Sequence, residues 1–489
     1  MKKVLAFVLS VMMMLSLLAG CSKAETPKEE APEATEEVTE NGVDAEGVHV
    51  EGLPVVDEPW TLHVCMEKQQ QDLGTNINED KWAAKTAIER TNVQLEWNEL
   101  ASGTASEQIP IMLAGGDLPD VFFRLLNASQ ILQYEEEFYP IEGLFDSYAK
   151  HIYEAMSQVD GWEKMAYTPS GHVYSGFGGQ QSLRDNTMNG IQVINTRWLN
   201  NVGISEIPTD WDSYYTALEA FRDQDANGNG DASDEIPYAW ANNQWCAELF
   251  DNESGRFGIP TYSRSHGEGG YVYVDANGKV QKSRSGETYK EYLTVMHEMM
   301  STGLIDQEGF NDSWDSLSGK AKNDKIGTYC CWTPLEFLSE EQAQSWDTLP
   351  RFAYTGHENE FYQNGIKDGS TALQTIWVVT NCPMITMDRM PRDTKDGEPS
   401  LRVAMVNTVY DHALPESQRI MPYYVPAEAT QELALYSQDL ISTIEQFHGK
   451  AILNGFTDEE YAAYEKQLTD LRYDDYVAHY QRVYDHDWE

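Results

Sequence analysis

The alternation of strand and helix patterns across residues 60–123 is the feature that most limits the fold of this chain. "TLHVCM" and "VQLEW" alternate apolar and polar residues as strands do, and a helical stretch over 80–91 separates them. A second helical pattern stops at Gly115-Gly116 and leads into the short apolar strand "LPDVFF". Strand, helix, strand, helix, strand predicts an open α/β sheet, whose ligands bind at the carboxyl ends of its strands.

A second block of elements begins near Ser170. "SGHVYSGFGG" indicates a turn, a strand and a glycine-rich loop, and "GIQVIN" and "KIGTYCCW" are further strands. "TDWD" at 209–212 fits a capping box before an amphipathic helix, and "TDEE" at 457–460 fits another in the helical C-terminal region. The strand "TIWVVTN" contains Trp377, which we assign to the core.

Composition limits the class of protein. With 489 residues and 41% hydrophobic residues, the chain is long enough for a large two-lobed protein and is not wholly disordered. Its formal net charge of −46 repels nucleic-acid phosphates and anionic lipid surfaces. Neither a nucleic-acid partner nor direct lipid binding is therefore expected, and the acidity itself indicates a well-solvated surface.

The N-terminus carries an export address. Lys2 and Lys3 precede an apolar run that ends in "LAGC", which resembles the bacterial lipobox. Removal of residues 1–20 would leave Cys21 as the lipidated first residue, tethering the protein by acyl chains such as palmitate to the extracytoplasmic face of the cell membrane; the alternative is a plain secretory signal. Residues 21–59, rich in Glu, Pro, Ala and Thr, predict a disordered acidic stalk, or less plausibly an interaction tail.

The cysteines other than Cys21 do not form a metal or redox motif. They are Cys65, Cys246, Cys330, Cys331 and Cys382. An odd number precludes complete intramolecular pairing, and no spacing resembles a zinc knuckle or a C-x-x-C pair. We expect buried thiols, with a bridge between the adjacent Cys330 and Cys331 left open.

The stretch "DQDANGNGDASDEIP", residues 223–237, is the strongest signal for an ion. Carboxylates, asparagines and glycines at alternate positions are the loop chemistry that calcium prefers. One register starts at Asp223 and ends at Asp234; the other starts at Asp225 and uses Asn227, Asn229, the carbonyl of Asp231, Asp234 and Glu235. The alternative is an unliganded polar loop, and catalytic use is not expected because the loop itself fills every ligand position.

The segment that contains this loop resembles the extracellular solute-binding lipoproteins of carbohydrate ABC transporters, in the branch with large, calcium-bearing members. "INTRWLNNVGISEIPTDWDSYYTALEAFRDQDANGNGDASDEIP" is similar to that family throughout, and "AGGDLPDVFF", "SGHVYSGF" and the tail from Met421 to Tyr484 agree with it. The central matching positions are Asn195, Trp198, Leu199, Gly203, Pro208, Thr209, Asp225, Asn227, Gly228, Asn229, Gly230, Ile236 and Pro237. The family pattern favours the second register, although one extra residue separates Gly230 from Asp234.

The resemblance implies a periplasmic-binding-protein-like α/β fold of type II, with two discontinuous lobes, a hinge and a ligand cleft. The first lobe is expected at 60–186 plus 345–425, and the second, with the calcium loop, at 187–344 plus 426–489. It also implies a monomer that passes an oligosaccharide or other small solute to ABC permease subunits, with Ca²⁺ in a structural role.

Sugar rings stack on aromatic side chains and their hydroxyls pair with polar ones, so a sugar cleft needs both at strand ends and loops. Candidate ligand contacts on this ground are Arg124, Asn127, Phe177, Trp245 and Trp332. In related sugar binders the position like Trp332 commonly stacks on ligand. Each aromatic has an alternative role as core filler.

Other functions remain open at this level. A secreted glycoside hydrolase would also be acidic and aromatic, but none of the G-x-S-x-G, H-E-x-x-H or phosphate-loop motifs is present, and no enzyme is expected. A peptide or other non-sugar solute, or a sensor partner in place of a permease, is compatible with the same fold.

Overall fold

The computed structural model describes the chain in segments. They are residues 42–44, 47–68, 76–101, 104–123, 125–157, 162–175, 190–242, 248–260, 268–358, 401–409, 418, 420 and 424–488. Among these residues no helix is both long and apolar enough to cross a membrane. Cys21, Arg124, Phe177, Trp245 and Trp377 lie outside the described residues.

Nine strands and seventeen α-helices are found in the described segments. The strands are β1 Trp60–Glu67, β2 Val93–Leu100, β3 Val121–Phe123, β4 Ile191–Asn195, β5 Ile236–Tyr238, β6 Val272–Val274, β7 Val280–Lys282, β8 Ile326–Cys331 and β9 Trp346–Thr348. The helices are α1 Ile77–Asp80, α2 Trp82–Thr91, α3 Ala105–Gly115, α4 Ala128–Gln133, α5 Lys150–Met156, α6 Trp162–Ala166, α7 Thr196–Asn201, α8 Trp211–Asp223, α9 Leu249–Glu253, α10 Gly286–Ser301, α11 Trp314–Lys322, α12 Glu340–Ala343, α13 Leu401–Val409, α14 Ala427–Ala434, α15 Ser437–Asn454, α16 Asp458–Asp470 and α17 Tyr473–Asp485.

The first sheet has the order β2-β1-β3, and all three strands are parallel. The crossover helix α2 joins β1 to β2, and α3 joins β2 to β3, as the alternation of patterns predicts. Ile109 and Leu113 of α3 pack on Cys65 and Leu100 of the sheet. Gly116 ends α3 in the left-handed conformation, with φ 69°, which a glycine adopts without a Cβ clash. The open α/β arrangement expected here is confirmed.

The second sheet has the order β5-β8-β4-β9. β5 runs parallel to β8, whereas β4 runs antiparallel to both β8 and β9. The largest apolar core lies against this sheet and contains residues of α8, α10 and the C-terminal helices. The strand β9 belongs to this sheet by its pairing with β4, although the expected first lobe resumes at residue 345. The second sheet therefore includes the chain as far as Thr348.

Helix α8 delivers the chain to the acidic loop, and its cap differs from the prediction. The side chain of Asp210, one residue after Thr209, accepts the N–H of Ser213 at 2.8 Å. A carboxylate at a helix N-terminus is favoured by the helix dipole, so Asp210 is a suitable cap, as Thr209 would also be. The expected capping box at Thr457 is confirmed, since its hydroxyl and the side chain of Glu460 each accept the other's backbone N–H.

The region expected to be a disordered stalk is partly ordered. Antiparallel bridges join Val43 to His49 and Val48 to Val56. The hydroxyl of Tyr148 donates to Asp44 at 2.9 Å, which ties this segment to the folded domain. The expectation of disorder as far as residue 59 is wrong for these residues, because a few valines and one buried aspartate suffice to dock a short acidic segment.

The described cysteines are buried thiols, as expected. Cys65, Cys330 and Cys331 form no disulfide, so the bridge left open between Cys330 and Cys331 is absent. Burial raises the pKa of the Cys330 thiol to about 12, which keeps it protonated and unreactive at neutral pH. "SGHVYS" at 170–175 contains no strand, in contrast to the prediction.

Candidate functional site: an acidic loop and a sheet edge

The acidic loop, defined here as Asp225 to Glu235, connects the end of α8 to the start of β5. Two side chains of α7 hold its first part. The amide of Asn201 donates to the carbonyl of Ala226 at 2.8 Å, and the guanidinium of Arg197 donates to the carbonyl of Asn227, also at 2.8 Å. The loop is thus anchored to the domain before it turns through its glycines.

Asp225 organises the turn. Its Oδ1 accepts the backbone N–H groups of Gly228 and Asn229, and its Oδ2 accepts that of Gly230, all at 2.9 Å. Gly228 and Gly230 have φ of 79° and 92°, a conformation that residues with a Cβ rarely adopt. The glycines therefore allow the backbone to wrap around one carboxylate, which is why they alternate with polar residues in the sequence.

The polar side chains that follow converge on Asp234. The amide nitrogens of Asn227 and Asn229 donate to its Oδ1 at 3.0 and 3.1 Å. The carboxylate of Asp231 instead accepts a hydrogen bond from the hydroxyl of Ser233 at 2.6 Å. The side chains of Asn227, Asn229 and Asp234 are therefore hydrogen-bonded to one another, and Asp225 is linked to them through the backbone N–H of Asn229.

Glu235 closes the loop with an unsatisfied oxygen. Its Oε1 accepts the N–H of Asn227 at 3.4 Å, whereas its buried Oε2 has no hydrogen-bond partner among the described residues. Burial raises the pKa of Glu235, and the negative charges of Asp234 and Asp225 add to this effect. A buried carboxylate oxygen that lacks a donor and faces like charges fits a site for a hard cation.

Carboxylates alone do not complete a metal site. Nowhere in the described part of the chain do three or more His, Cys, Asp or Glu side chains group closely enough to hold an ion by themselves. A cation at this loop would need the side-chain oxygens of Asn227 and Asn229 as well, together with a backbone carbonyl. These are ordinary calcium ligands.

Asp223, which begins the first register, is engaged elsewhere. Both of its oxygens accept hydrogen bonds from the guanidinium of Arg222, at 2.7 and 2.9 Å. This pairing lowers the pKa of Asp223. Because it is the last residue of α8 and lies on the exposed helix end, it would have to leave both bonds to join the loop.

Two cationic side chains lie beside the acidic loop. The sequence patterns did not indicate either of them. Arg197 forms an ion pair with Asp324, and Nζ of Lys325 lies 3.6 Å from Oδ2 of Asp234. The pair Asp324-Lys325 is almost one hundred positions from the loop and meets it only because β5 and β8 are neighbours. No local motif signals such a contact.

Two of the expected ligand contacts, Trp332 and Asn127, lie among the described residues, each following a strand. Trp332 directly follows β8, its ring is half-buried, and its backbone N–H donates to Glu336 at 3.0 Å. Asn127 follows β3 beyond Arg124, and its side-chain oxygen caps α4 by accepting the N–H of Gln130 at 2.9 Å. A ligand contact from Asn127 would therefore come from its amide nitrogen.

The two edges of the second sheet are well separated. The acidic loop enters β5 beside the start of β8, where the N–H of Ile236 donates to the carbonyl of Lys325. Trp332 follows the other end of β8, six residues later, which is roughly 20 Å at about 3.3 Å per residue. An ion in the loop would thus lie away from a ligand bound at the carboxyl edge, where open α/β sheets bind ligands.

A buried polar network supports the second sheet near its carboxyl edge. Arg256 donates to Glu253 at 2.8 Å, to Gln192 of β4 at 2.5 Å and to the carbonyl of Phe352 at 3.1 Å. The hydroxyl of Tyr238 in β5 donates to Glu253 at 3.1 Å. The network joins β4, β5 and the segment after β9, and the sequence contains no pattern that predicts it, since its members are far apart in the chain.

Comparisons with known proteins follow this geometry. No model of a known protein family matches the chain. The fructooligosaccharide ABC transporter substrate-binding protein FusA of Streptococcus pneumoniae serotype 4 is 28% identical over 275 residues, 54% of this chain and 48% of FusA. Lipoprotein LipO of Bacillus subtilis is 23% identical over 238 residues, 47% of this chain and 42% of LipO. The chain spans about half the length of these curated relatives.

Solved structures are similar over nearly the whole chain. S. pneumoniae FusA in complex with kestose gives a TM-score of 0.71 at 21% identity, covering 87% of this chain and 99% of that one. An EF-hand mutant of FusA in complex with fructo-nystose gives the same values. An extracellular solute-binding protein from Bifidobacterium longum subsp. infantis gives 0.73 at 20% identity, covering 88% and 98%. The chain therefore has the α/β fold of periplasmic-binding-protein-like solute-binding proteins, as expected.

Proposed function

We propose that this chain is a lipid-anchored extracellular substrate-binding protein that captures an oligosaccharide for import by an ABC transporter. The observation that carries the proposal is the 28% identity to FusA over 275 residues on a shared fold. FusA is a fructooligosaccharide-binding transport component whose structure contains kestose, so short fructans are the first ligands to test.

The site supports sugar capture through its chemistry. Trp332 offers a half-buried aromatic face at the carboxyl edge of the second sheet, and Asn127 offers an amide beyond β3 of the first. Arg124, Phe177 and Trp245 stay predicted contacts. Stacking of C–H faces on aromatics, combined with a few polar groups, is how small-molecule clefts achieve affinity and orientation.

Calorimetry of the purified chain with kestose, with maltose and with short peptides tests the proposal. Saturable heat with one of the sugars, without product formation, supports it. Trp332→Ala should weaken such binding about tenfold or more, while Trp332→Phe, which keeps an aromatic face, should retain most of it. If only peptides bound, the proposed ligand would be a peptide and not a sugar. Hydrolysis of the sugar would mean that the protein is an enzyme.

We propose further that the acidic loop holds a structural Ca²⁺ through Asp225, Asn227, Asn229, the carbonyl of Asp231, Asp234 and Glu235. The unpartnered Oε2 of Glu235 and the engagement of Asp223 by Arg222 support this register. That a FusA variant is described as an EF-hand mutant supports calcium as the ion. The ion would neutralise the loop's carboxylates and brace the junction of α8 and β5.

The anchor and the partners complete the proposal. Acylation at Cys21 is supported by the lipobox and by the name of the relative LipO, and Cys21→Ser should release the protein from membranes into the medium. A monomer that docks on two permease subunits is proposed from the relatives' membership of ABC transporters. Size-exclusion chromatography and crosslinking in cells test these two statements separately.

A further inference from the structure

Lys325 is held beside the end of the acidic loop. It immediately precedes β8, and its carbonyl accepts the N–H of Ile236, the residue after Glu235, at 2.8 Å. Its Nζ lies 3.6 Å from Oδ2 of Asp234, and its side chain is 45% exposed. The backbone of Lys325 is therefore held at the loop, while its ammonium lies within reach of both Asp234 and the solvent.

Asp234 is the point at which the loop and Lys325 meet. Its Oδ2 accepts the amide of Asn229 at 3.2 Å and faces Lys325, while its Oδ1 accepts the amides of Asn227 and Asn229. The positive charge of Lys325 also acts on Asp231, where it adds to the stronger effect of the Ser233 hydrogen bonds in lowering the pKa. One ammonium thus compensates two carboxylates of the loop.

We infer that Lys325 is an internal competitor for the cation of the acidic loop: it compensates Asp234 when the loop is empty and weakens cation binding when the loop is filled. The inference rests on the proposed calcium site. A divalent ion bound by Asp234 would repel the ammonium 3.6 Å from that carboxylate, so binding includes the cost of displacing Lys325 into water.

The same lysine would tune the affinity of the site. Extracellular calcium modules work in the range of about 10⁻⁴ to 10⁻³ M, far weaker than cytosolic sites with similar ligands. Calcium affinity depends on the net charge around the ion, and a positive charge next to one ligand lowers it. Lys325 therefore shifts the acidic loop toward the weaker, extracellular range.

Calorimetric titration of Ca²⁺ into the full chain and into Lys325→Met tests the inference. Lys322→Met is the matched control, since this exposed lysine lies three residues earlier at the end of α11 and its loss changes the net charge equally. We expect calcium binding to become about threefold to tenfold tighter in Lys325→Met at low salt, and this gain to shrink as salt screens the charges. In EDTA, the melting temperature of Lys325→Met should fall below that of Lys322→Met.

The outcomes separate the inference from the site on which it depends. Equal or weaker calcium binding by Lys325→Met, with normal binding by the unmodified chain, would overturn the competitor role and leave the calcium site intact. Tighter binding in Lys322→Met as well would also overturn it, because the effect would then be one of overall charge. Absence of calcium binding in the unmodified chain would overturn the calcium site itself.

Discussion

Two turns of the second sheet region carry dense negative charge, and they are neutralised in different ways. In the acidic loop, the carboxylates accept N–H groups and Glu235 keeps an unpartnered oxygen. In the turn after α10, which we call the lysine cluster, Asp306, Glu308 and Asp312 all contact Nζ of Lys320, at 2.6, 3.0 and 2.5 Å. The carboxylates of the lysine cluster thus have a counter-charge in the ammonium of Lys320. Those of the acidic loop, at a similar density, lack a full counter-charge among the described residues.

The source of counter-charge distinguishes the two turns. Burial opposes the charge on Lys320, yet the hydrogen bonds that its ammonium donates to the three carboxylates raise its pKa above the usual value. The lysine cluster also holds the end of β5, because the indole of Trp240 donates to the carbonyl of Asp306 at 2.7 Å. A lysine can therefore occupy the centre of a cluster of carboxylates, whereas Lys325 approaches the acidic loop at its margin.

The largest effect should come from removing the internal cation. Lys320→Met would leave the side chains of Asp306 and Asp312, each only 9% exposed, without their counter-charge. We expect a loss of about 3 kcal/mol in the free energy of unfolding, equal with and without calcium, because breaking a buried ion pair strands the remaining charges. Urea unfolding measures it, with Lys322→Met as the control. A loss below about 1 kcal/mol would mean that the cluster is too well solvated to matter.

Removal of calcium should have the next largest effect. EDTA should lower the free energy of unfolding by about 2 to 3 kcal/mol relative to calcium at about one hundred times its dissociation constant. The reason is that only the folded loop gathers the ligands. Thermal unfolding in calcium, magnesium and EDTA measures this effect. A melting temperature that EDTA does not change would mean that the acidic loop, like the lysine cluster, needs no bound ion.

Glu235→Gln tests the contrast between the acidic loop and the lysine cluster at a single side chain. Loss of its charge should weaken calcium binding about tenfold, in line with the usual cost of disturbing a metal site. Without calcium, the effect on pH dependence should be opposite to that of an ordinary paired carboxylate. The raised pKa of Glu235 means that the folded state binds its proton more tightly, so this residue costs stability as pH rises through its folded pKa.

Unfolding of the unmodified chain and of Glu235→Gln in EDTA, across the pH range from the ordinary glutamate pKa upward, isolates this contribution. The unmodified chain should lose stability relative to the variant as pH rises from the acidic end to the neutral end. A difference that is independent of pH would show that Oε2 of Glu235 finds a donor in solution.

The smallest effect should come from Asp223→Asn. Its pair with Arg222 is exposed, and such pairs contribute little, so we expect less than about 0.5 kcal/mol in stability and no change in calcium affinity. Calorimetric titration with Ca²⁺ measures the affinity of Asp223→Asn. Asp225→Asn serves as the comparison, because that variant should bind calcium much more weakly. A comparable loss in Asp223→Asn would restore the register that begins at Asp223.

Sequence patterns predicted the parts of this protein that are local. The period of "VQLEW" and the helix stop at Gly115-Gly116 gave the right elements, because apolar periodicity and glycine conformations act within a few residues. The acidic loop was also visible, since its carboxylates, amides and glycines lie within fifteen positions. The cap of α8 was misplaced by one residue, from Thr209 to Asp210, because both residue types are good caps and only the backbone path chooses between them.

The α/β class, the position of the acidic loop and the burial of the described thiols thus followed from sequence patterns. The balance of charge depended on the three-dimensional arrangement: Lys325 reaches Asp234 through the pairing of β5 and β8, and Arg256 joins β4 to the segment after β9. The bridges among residues 42–44 and 47–56, in a stretch expected to be disordered, were likewise seen only in the structure. The physical reason is the range of the forces. Periodicity and turn chemistry act between neighbours in the chain, whereas electrostatic compensation depends on which distant residues the fold brings within a few ångströms.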